Sequence, residues 1–151
     1  MPKIDRSTAE VSKGAGYPEP FAAACRGRER TRLGKAGGLG DFGVNLLRLP
    51  PGAWSSQRHW HTKEDELVWV VEGEVTLVED GAETRLVPGD CAAFPAGAQN
   101  GHHLVNRSDR DAVVLEVGSS REEDVCHYPD IDLQARPEGY VHRDGTPYPE
   151  R

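Results

Sequence analysis

Two histidines one residue apart, His59 and His61, are the part of this sequence best equipped for chemistry. Side chains alternate along an extended chain, so an i, i+2 pair sends both imidazoles to one face, close enough to share a cation. Glu66 follows five residues after His61. If residues 62–65 turn, its carboxylate returns beside the two rings. His102, behind a glycine-bounded loop, is the natural fourth donor. Three imidazoles and a carboxylate suit Mn, Fe, Ni, Co or Zn, and leave about two positions of a six-coordinate ion open. Taken singly, each piece has a plainer reading. The His pair could lie on a surface, Glu66 could be one more solvated charge beside Lys63, Glu64 and Asp65, and His102-His103 could be a polar strand edge. The joint spacing favours one divalent metal held by His59, His61, Glu66 and His102.

The elements that must position these residues read as strands. Phe42–Leu49 is an apolar run stopped by Pro50-Pro51-Gly52, since proline cannot donate to a ladder. Glu66–Glu72 and residues 74–79 flank Gly73, and Asp80-Gly81 marks a hairpin before residues 82–87. Further strands are expected at Cys91–Phe94, 102–107 and 112–117. Many short strands with regular turn signals predict an all-β sandwich or barrel. Within Glu66–Glu72, alternation places Glu66, Val68 and Val70 on one face and Leu67, Trp69 and Val71 on the other. Both faces are apolar, so the outside must be covered by the N-terminal arm, the C-terminal tail or a second subunit. A homodimer is the favoured expectation. Gln57, on the same side as His59, and Asn45 and Arg48 on the preceding strand are candidates for the pocket lining.

Two longer patterns then match a known superfamily. The run Gly52…His59-x-His61-x4-Glu66-x6-Gly73 resembles the first cupin motif, and Gly89-x5-Pro95-x-Gly97…His102-x3-Asn106 resembles the second. The resemblance implies a double-stranded β-helix (jelly-roll) barrel with the metal inside, and carries ligand roles onto His59, His61, Glu66 and His102. Two spacings depart from the pattern. Six residues rather than five separate Gly52 from His59, and four rather than two separate Gly97 from His102. The Asn100-Gly101 step is expected to form the extra turn or bulge. His102 keeps its interval to Asn106, and alternation then turns His103 outward. The phrases RHWHTKEDE, FPAGAQNGHHLVNRS, YPDIDL and DGTPY are together similar to small bacterial cupins described as sugar-phosphate-isomerase-like, a resemblance that brings no substrate with it.

The 151 residues form three zones: an irregular arm at 1–40 with a short helix near 21–25, the barrel at 41–118, and a polar, proline-rich tail at 119–151. The tail is expected to lie over the barrel or a neighbour; its sharper alternative closes a pocket mouth with Tyr140, His142 or Tyr148. A net charge of −7 makes nucleic acid an unlikely partner. The basic stretch at residues 26–32 reads as a solvated loop, with a phosphate or partner contact as the alternative. No apolar run approaches the roughly 20 residues that span a bilayer. MPKIDRSTAE has no apolar stretch of a secretory signal, and three cysteines without CxxC spacing fit a reducing compartment, so the cytoplasm is expected. Cys91, in an apolar stretch, reads as a buried small hydrophobe.

Three functions fit a small-molecule ligand at such a centre. One is a metal-dependent isomerase, epimerase or lyase acting on a small polar, sugar-type molecule. The others are an iron-dependent dioxygenase and a non-catalytic sugar or small-ligand binding module. The central motifs contain no lysine or tyrosine placed to shuttle a proton. Arg58 and Arg107 are possible anion contacts, although alternation turns Arg58 away from the His59 face.

Overall fold

The structure, a computed structural model, describes residues 2–150. It contains thirteen strands: β1 (Val11–Lys13), β2 (Glu29–Arg32), β3 (Phe42–Leu49), β4 (Trp60–His61), β5 (Glu66–Glu72), β6 (Val75–Glu79), β7 (Ala82–Leu86), β8 (Cys91–Phe94), β9 (His103–Val105), β10 (Ala112–Ser119), β11 (Cys126–Tyr128), β12 (Leu133–Arg136) and β13 (Gly139–Val141). One wall is a six-stranded sheet in the order β1-β2-β3-β10-β5-β8. The facing wall is made of two smaller sheets, β13-β12-β11-β4 and β7-β6-β9. A bridge between His59 and His102 and another between Trp54 and Val105 join the approaches to these sheets. Every pairing is antiparallel, as expected of a jelly-roll barrel.

Alternation sorts the large sheet. On β3, Leu47 and Leu49 are wholly buried, and on β5 so is Val70, against Val75, Leu77 and Val114. On the opposite face of β5, Leu67, Trp69 and Val71 are 38%, 46% and 44% exposed. The register extends this outer face into two apolar rows. Leu46, Leu115, Trp69 and Cys91 stand abreast across β3, β10, β5 and β8, as do Val44, Val117, Leu67 and Ala93.

The arm and tail are more ordered than their composition suggests. Residues 1–40 contribute β1 and β2 to the large sheet, a 3-10 turn (Ala23–Cys25) and one helical turn, α1 (Leu33–Ala36). The tail supplies β11, β12 and β13. Cys126 pairs with His61, and His127 with Trp60, so the tail is hydrogen-bonded to the strand that bears the histidines. Tyr17, Cys25, Cys126, Tyr128 and Leu133 form a second buried cluster between arm and tail. Cys91 corrects its expectation. It is exposed, because β8 is the edge of the large sheet and the odd-numbered positions of this strand face out. Among the described residues no helix is long and apolar enough to cross a membrane.

Candidate metal centre

The short strand β4 and the bridge ahead of it present His59 and His61; β5 begins with Glu66, and the His59–His102 bridge brings in the fourth residue. The Nε2 atoms of His59, His61 and His102 lie 3.3, 3.1 and 3.0 Å from the same atom, Glu66 Oε1. His59 and His102 are buried, and His61 and Glu66 half-buried. Phe94 stacks on the His102 ring at 3.5 Å between centroids, fixing its plane.

The outer nitrogens decide what the inner ones can do. His59 Nδ1 donates to the Gln57 carbonyl at 2.8 Å and His61 Nδ1 to Asp124 Oδ2 at 2.6 Å. The Asn100 carbonyl lies 3.4 Å from His102 Nδ1. Carbonyls and carboxylates only accept, so the Nδ1 protons are turned outward and the Nε2 lone pairs inward. Three lone pairs aimed at a carboxylate oxygen repel unless a positive charge stands among them. A divalent cation fits this donor set. In the absence of a cation, protons on Nε2 would relieve the same repulsion, and a bound cation displaces them. Burial opposes the charge on Glu66, yet hydrogen bonds from His102, His59 and His61 hold its carboxyl far below the ordinary range. Burial would lower His61, but the carboxylates of Glu66 and Asp124 outweigh it and raise the ring to about 9. His102 is lowered by burial.

Asp124 has no counterpart in the sequence motifs. From the turn before β11 it holds His61 Nδ1 and accepts from the backbone amides of Lys63 and Glu64 at 2.8 and 3.2 Å. It therefore orients the ring and clamps the turn leading to Glu66. Outer-shell carboxylates of this kind typically contribute about 10–100-fold to metal affinity. Asp124→Asn is expected to lose that much, measured by competition with a chelator of known affinity. Wild-type affinity in the variant would remove Asp124 from the site.

The candidate centre opens on a cavity of about 580 Å³. Of the pocket candidates, Asn45 lines it. Arg48 does not: it is an odd number of positions from Asn45 on one strand, hence on the other face, where it pairs with Glu29 and Asp111 at 3.1 and 2.5 Å. Gln57 also turns away. Residues 55–58 bend rather than extend, so the shared face with His59 does not arise, and its amide donates to the Phe21 carbonyl at 2.8 Å. His103 is turned from the cluster but is buried, with Nδ1 2.8 Å from the Ser56 carbonyl and its ring edge-on to Trp54. Arg58 forks onto Asp130, with Asp80 beside it, and Arg107 pairs with Glu83.

Apart from Tyr140, sequence reading missed the groups that arm and tail bring to the cavity. Tyr17, Tyr128 and Tyr140 line it, each with its phenol pushed up by burial and so protonated at neutral pH. Arg28 and Arg30 line it too, although the basic stretch was expected to be a loop in solvent. Residues 29–32 are strand β2, and alternation turns Arg28 and Arg30 inward while Glu29 faces out toward Arg48. Of the tail residues named for a pocket mouth, Tyr140 lines the cavity, whereas His142 and Tyr148 stack on each other outside it.

Comparison with known proteins places this geometry. Residues 45–118 match the family model described as Cupin domain. No curated protein matches the sequence. Among solved structures, a sugar phosphate isomerase of the cupin superfamily from Silicibacter pomeroyi is 47% identical, with 98% of this chain and 97% of that one covered and a TM-score of 0.92. A candidate sugar phosphate isomerase from Acidithiobacillus ferrooxidans is 28% identical over 82% of this chain and 81% of that one, at TM-score 0.73. The polyketide cyclase RemF from Streptomyces resistomycificus, 20% identical over 80% of each chain at TM-score 0.62, shares the fold. A chain identical at nearly half its positions to a cupin-superfamily protein, over almost the full length of both, belongs to the cupin superfamily.

Proposed function

We propose that the protein is a divalent-metal-dependent isomerase or epimerase acting on a small, polar, sugar-type molecule. The observation that carries this reading is the convergence of three imidazole Nε2 atoms on Glu66 Oε1 in the wall of a ligand-sized cavity. The likeness to the Silicibacter pomeroyi protein supports the reaction class. Mn, Fe, Ni, Co and Zn all accept these donors, and any of them would polarise a carbonyl or hydroxyl bound at its open positions. The chain's own groups supply the rest. The three phenols are proton donors toward a sugar's oxygens, and Glu116, fixed by Arg30 through bonds of 2.7 and 3.1 Å, is a carboxylate acceptor facing the same cavity.

The test is elemental analysis of the purified protein, followed by a thermal-shift screen of sugar phosphates, hydroxy acids and catechols. A ligand at about 100 times its Kd stabilises the native state by about 2.7 kcal/mol, which for a chain this size moves Tm by roughly 5–10 °C. Manganese, nickel, cobalt or zinc with a shift from sugar-type ligands is expected. Iron with oxygen uptake on a catechol would replace this reading with a dioxygenase, and unchanged binding by the metal-free protein would replace it with a binding module.

We also propose that a second copy of this chain covers the outer face of β5. The arm is used at the far edge of the same sheet and the tail on β4, so neither candidate cover within the chain reaches Trp69. The two rows abreast of Trp69 and Leu67 carry no charge, which suits an identical apolar face across a two-fold axis. Wild-type protein should sediment as a dimer and Trp69→Lys as a monomer with unchanged metal content; a wild-type monomer at micromolar concentration would refute the interface. Two buried cysteines and one exposed, all free, support a reducing, cytoplasmic location.

A further inference from the structure

The two arginines that line the cavity are held in different ways. Arg30 is neutralised: its Nε and Nη2 form a fork with the carboxylate of Glu116, and both side chains are about four-fifths buried, at 18% and 21% exposure. Arg28 has no such partner. Its Nε donates to the Gly14 carbonyl at 2.8 Å and its Nη1 to the Ser55 carbonyl, and among the described residues no carboxylate pairs with it. Backbone carbonyls fix the plane of a guanidinium without cancelling its charge. Burial and the neighbouring charge of Arg30 both press on this cation and lower its pKa, yet it stays protonated at any neutral pH. A half-buried, immobilised guanidinium without a carboxylate of its own costs stability, and among the described residues no hydrogen bond engages its Nη2.

We propose that Arg28 is the anion subsite of this cavity, receiving a phosphate or carboxylate group of the ligand whose oxygen-bearing end faces His59, His61, Glu66 and His102. The inference rests on the proposed function and adds to it: the sugar-type substrate carries a terminal anion. Guanidinium donors in a fixed plane suit two oxygens of one anionic group, which an ammonium would not match. Both ends of such a molecule would lie in one cavity, since Arg28 lines the same cavity as His59, His61, Glu66 and His102. The competing reading makes Arg28 a staple between the Gly14 loop and the segment at Ser55. A staple would set stability and leave anion affinity untouched.

The experiment titrates metal-loaded protein calorimetrically with inorganic phosphate and with succinate, against chloride at matched ionic strength. Saturable binding of one anion is expected, and which of the two binds tells a phosphate ester from a carboxylic acid. Arg28→Gln should weaken that binding about tenfold to a hundredfold, the range for a charged hydrogen bond, with metal per chain unchanged. Arg28→Lys should lose less. Wild-type affinity in Arg28→Gln, or no anion binding above the chloride control, overturns the subsite. Arg28-dependent binding in a protein that takes up no metal would sustain the subsite and refute the metal-dependent function instead. If the variants fail to fold, wild-type crystals soaked in tungstate decide: a tungsten peak at the Arg28 guanidinium supports the assignment, and peaks only elsewhere refute it.

Discussion

Replacing His61 with alanine should strip the protein of its metal. Three Nε2 atoms and one carboxylate oxygen form the proposed donor set, and His61 is the member braced from outside by a carboxylate. Removing it would take away one proposed ligand and leave Asp124 facing a gap where its hydrogen-bond donor stood. The loss should exceed the roughly 10–100-fold expected for the outer partner alone. Protein purified without added metal should then contain far less than one ion per chain. The fold should survive, because the ring is half-buried and Trp60 beside it stays stacked on His127 at 4.4 Å. Full metal stoichiometry in His61→Ala, measured by elemental analysis, would remove the residue from the ligand set.

The second large effect concerns a residue with no chemistry. Gly73, in the turn from β5 to β6, has φ +71°, and a Cβ there would sit 2.5 Å from the Asp111 carbonyl oxygen and 2.9 Å from Ala112 Cα. Both obstacles are backbone at the start of β10, the strand that pairs with β5 along its length. Gly73→Ala should therefore cost about 3 kcal/mol, from left-handed backbone strain plus overpacking, and lower Tm by roughly 6–12 °C. Gly52 is the matched control. Its φ is +83° but open space surrounds it, so Gly52→Ala should cost only about 1 kcal/mol. Equal Tm losses in the two variants would show that the close approach at Gly73 is relieved by local adjustment.

The central strands were legible because their ends are written in turn residues. Phe42–Leu49 runs to the double proline, and Glu66–Glu72 and Cys91–Phe94 lie between Gly, Pro and Asp steps; all three have the bounds their punctuation predicts. The positions of His59, His61, Glu66 and His102 followed from the same signals, which is why the structure brings those four together. The arm and tail were not legible. ERTR, CHY, LQAR and GYV are strands of three or four residues with hardly an apolar alternation among them. Their ordering comes from distant partners, as where Tyr17 meets Tyr128 edge-on at 5.5 Å. Polar alternation gives no hydrophobic signal, so Arg28-Glu29-Arg30 read as a solvated loop while it was placing two cations inside a barrel. Asp124 sits in a run of acidic residues that nothing local distinguishes. Arg48 was open to correction from sequence, since its odd separation from Asn45 already put the two on opposite faces.

The pairing of β4 with β11 has a consequence for how the protein is made. His61 and its brace Asp124 are 63 residues apart, and the strand bearing His61 has its ladder partner only at Cys126 and His127. At about 5–20 residues per second, several seconds of translation separate the ligand from the segment that orients it. During that interval the histidines, Glu66 and His102 can all be outside the ribosome while the His61 ring is still unbraced. Tight capture of the proposed ion would therefore wait until the segment bearing Asp124 has been made. A nascent chain stalled before Asp124 should trade a bound ion readily, whereas one extended well past it should keep it.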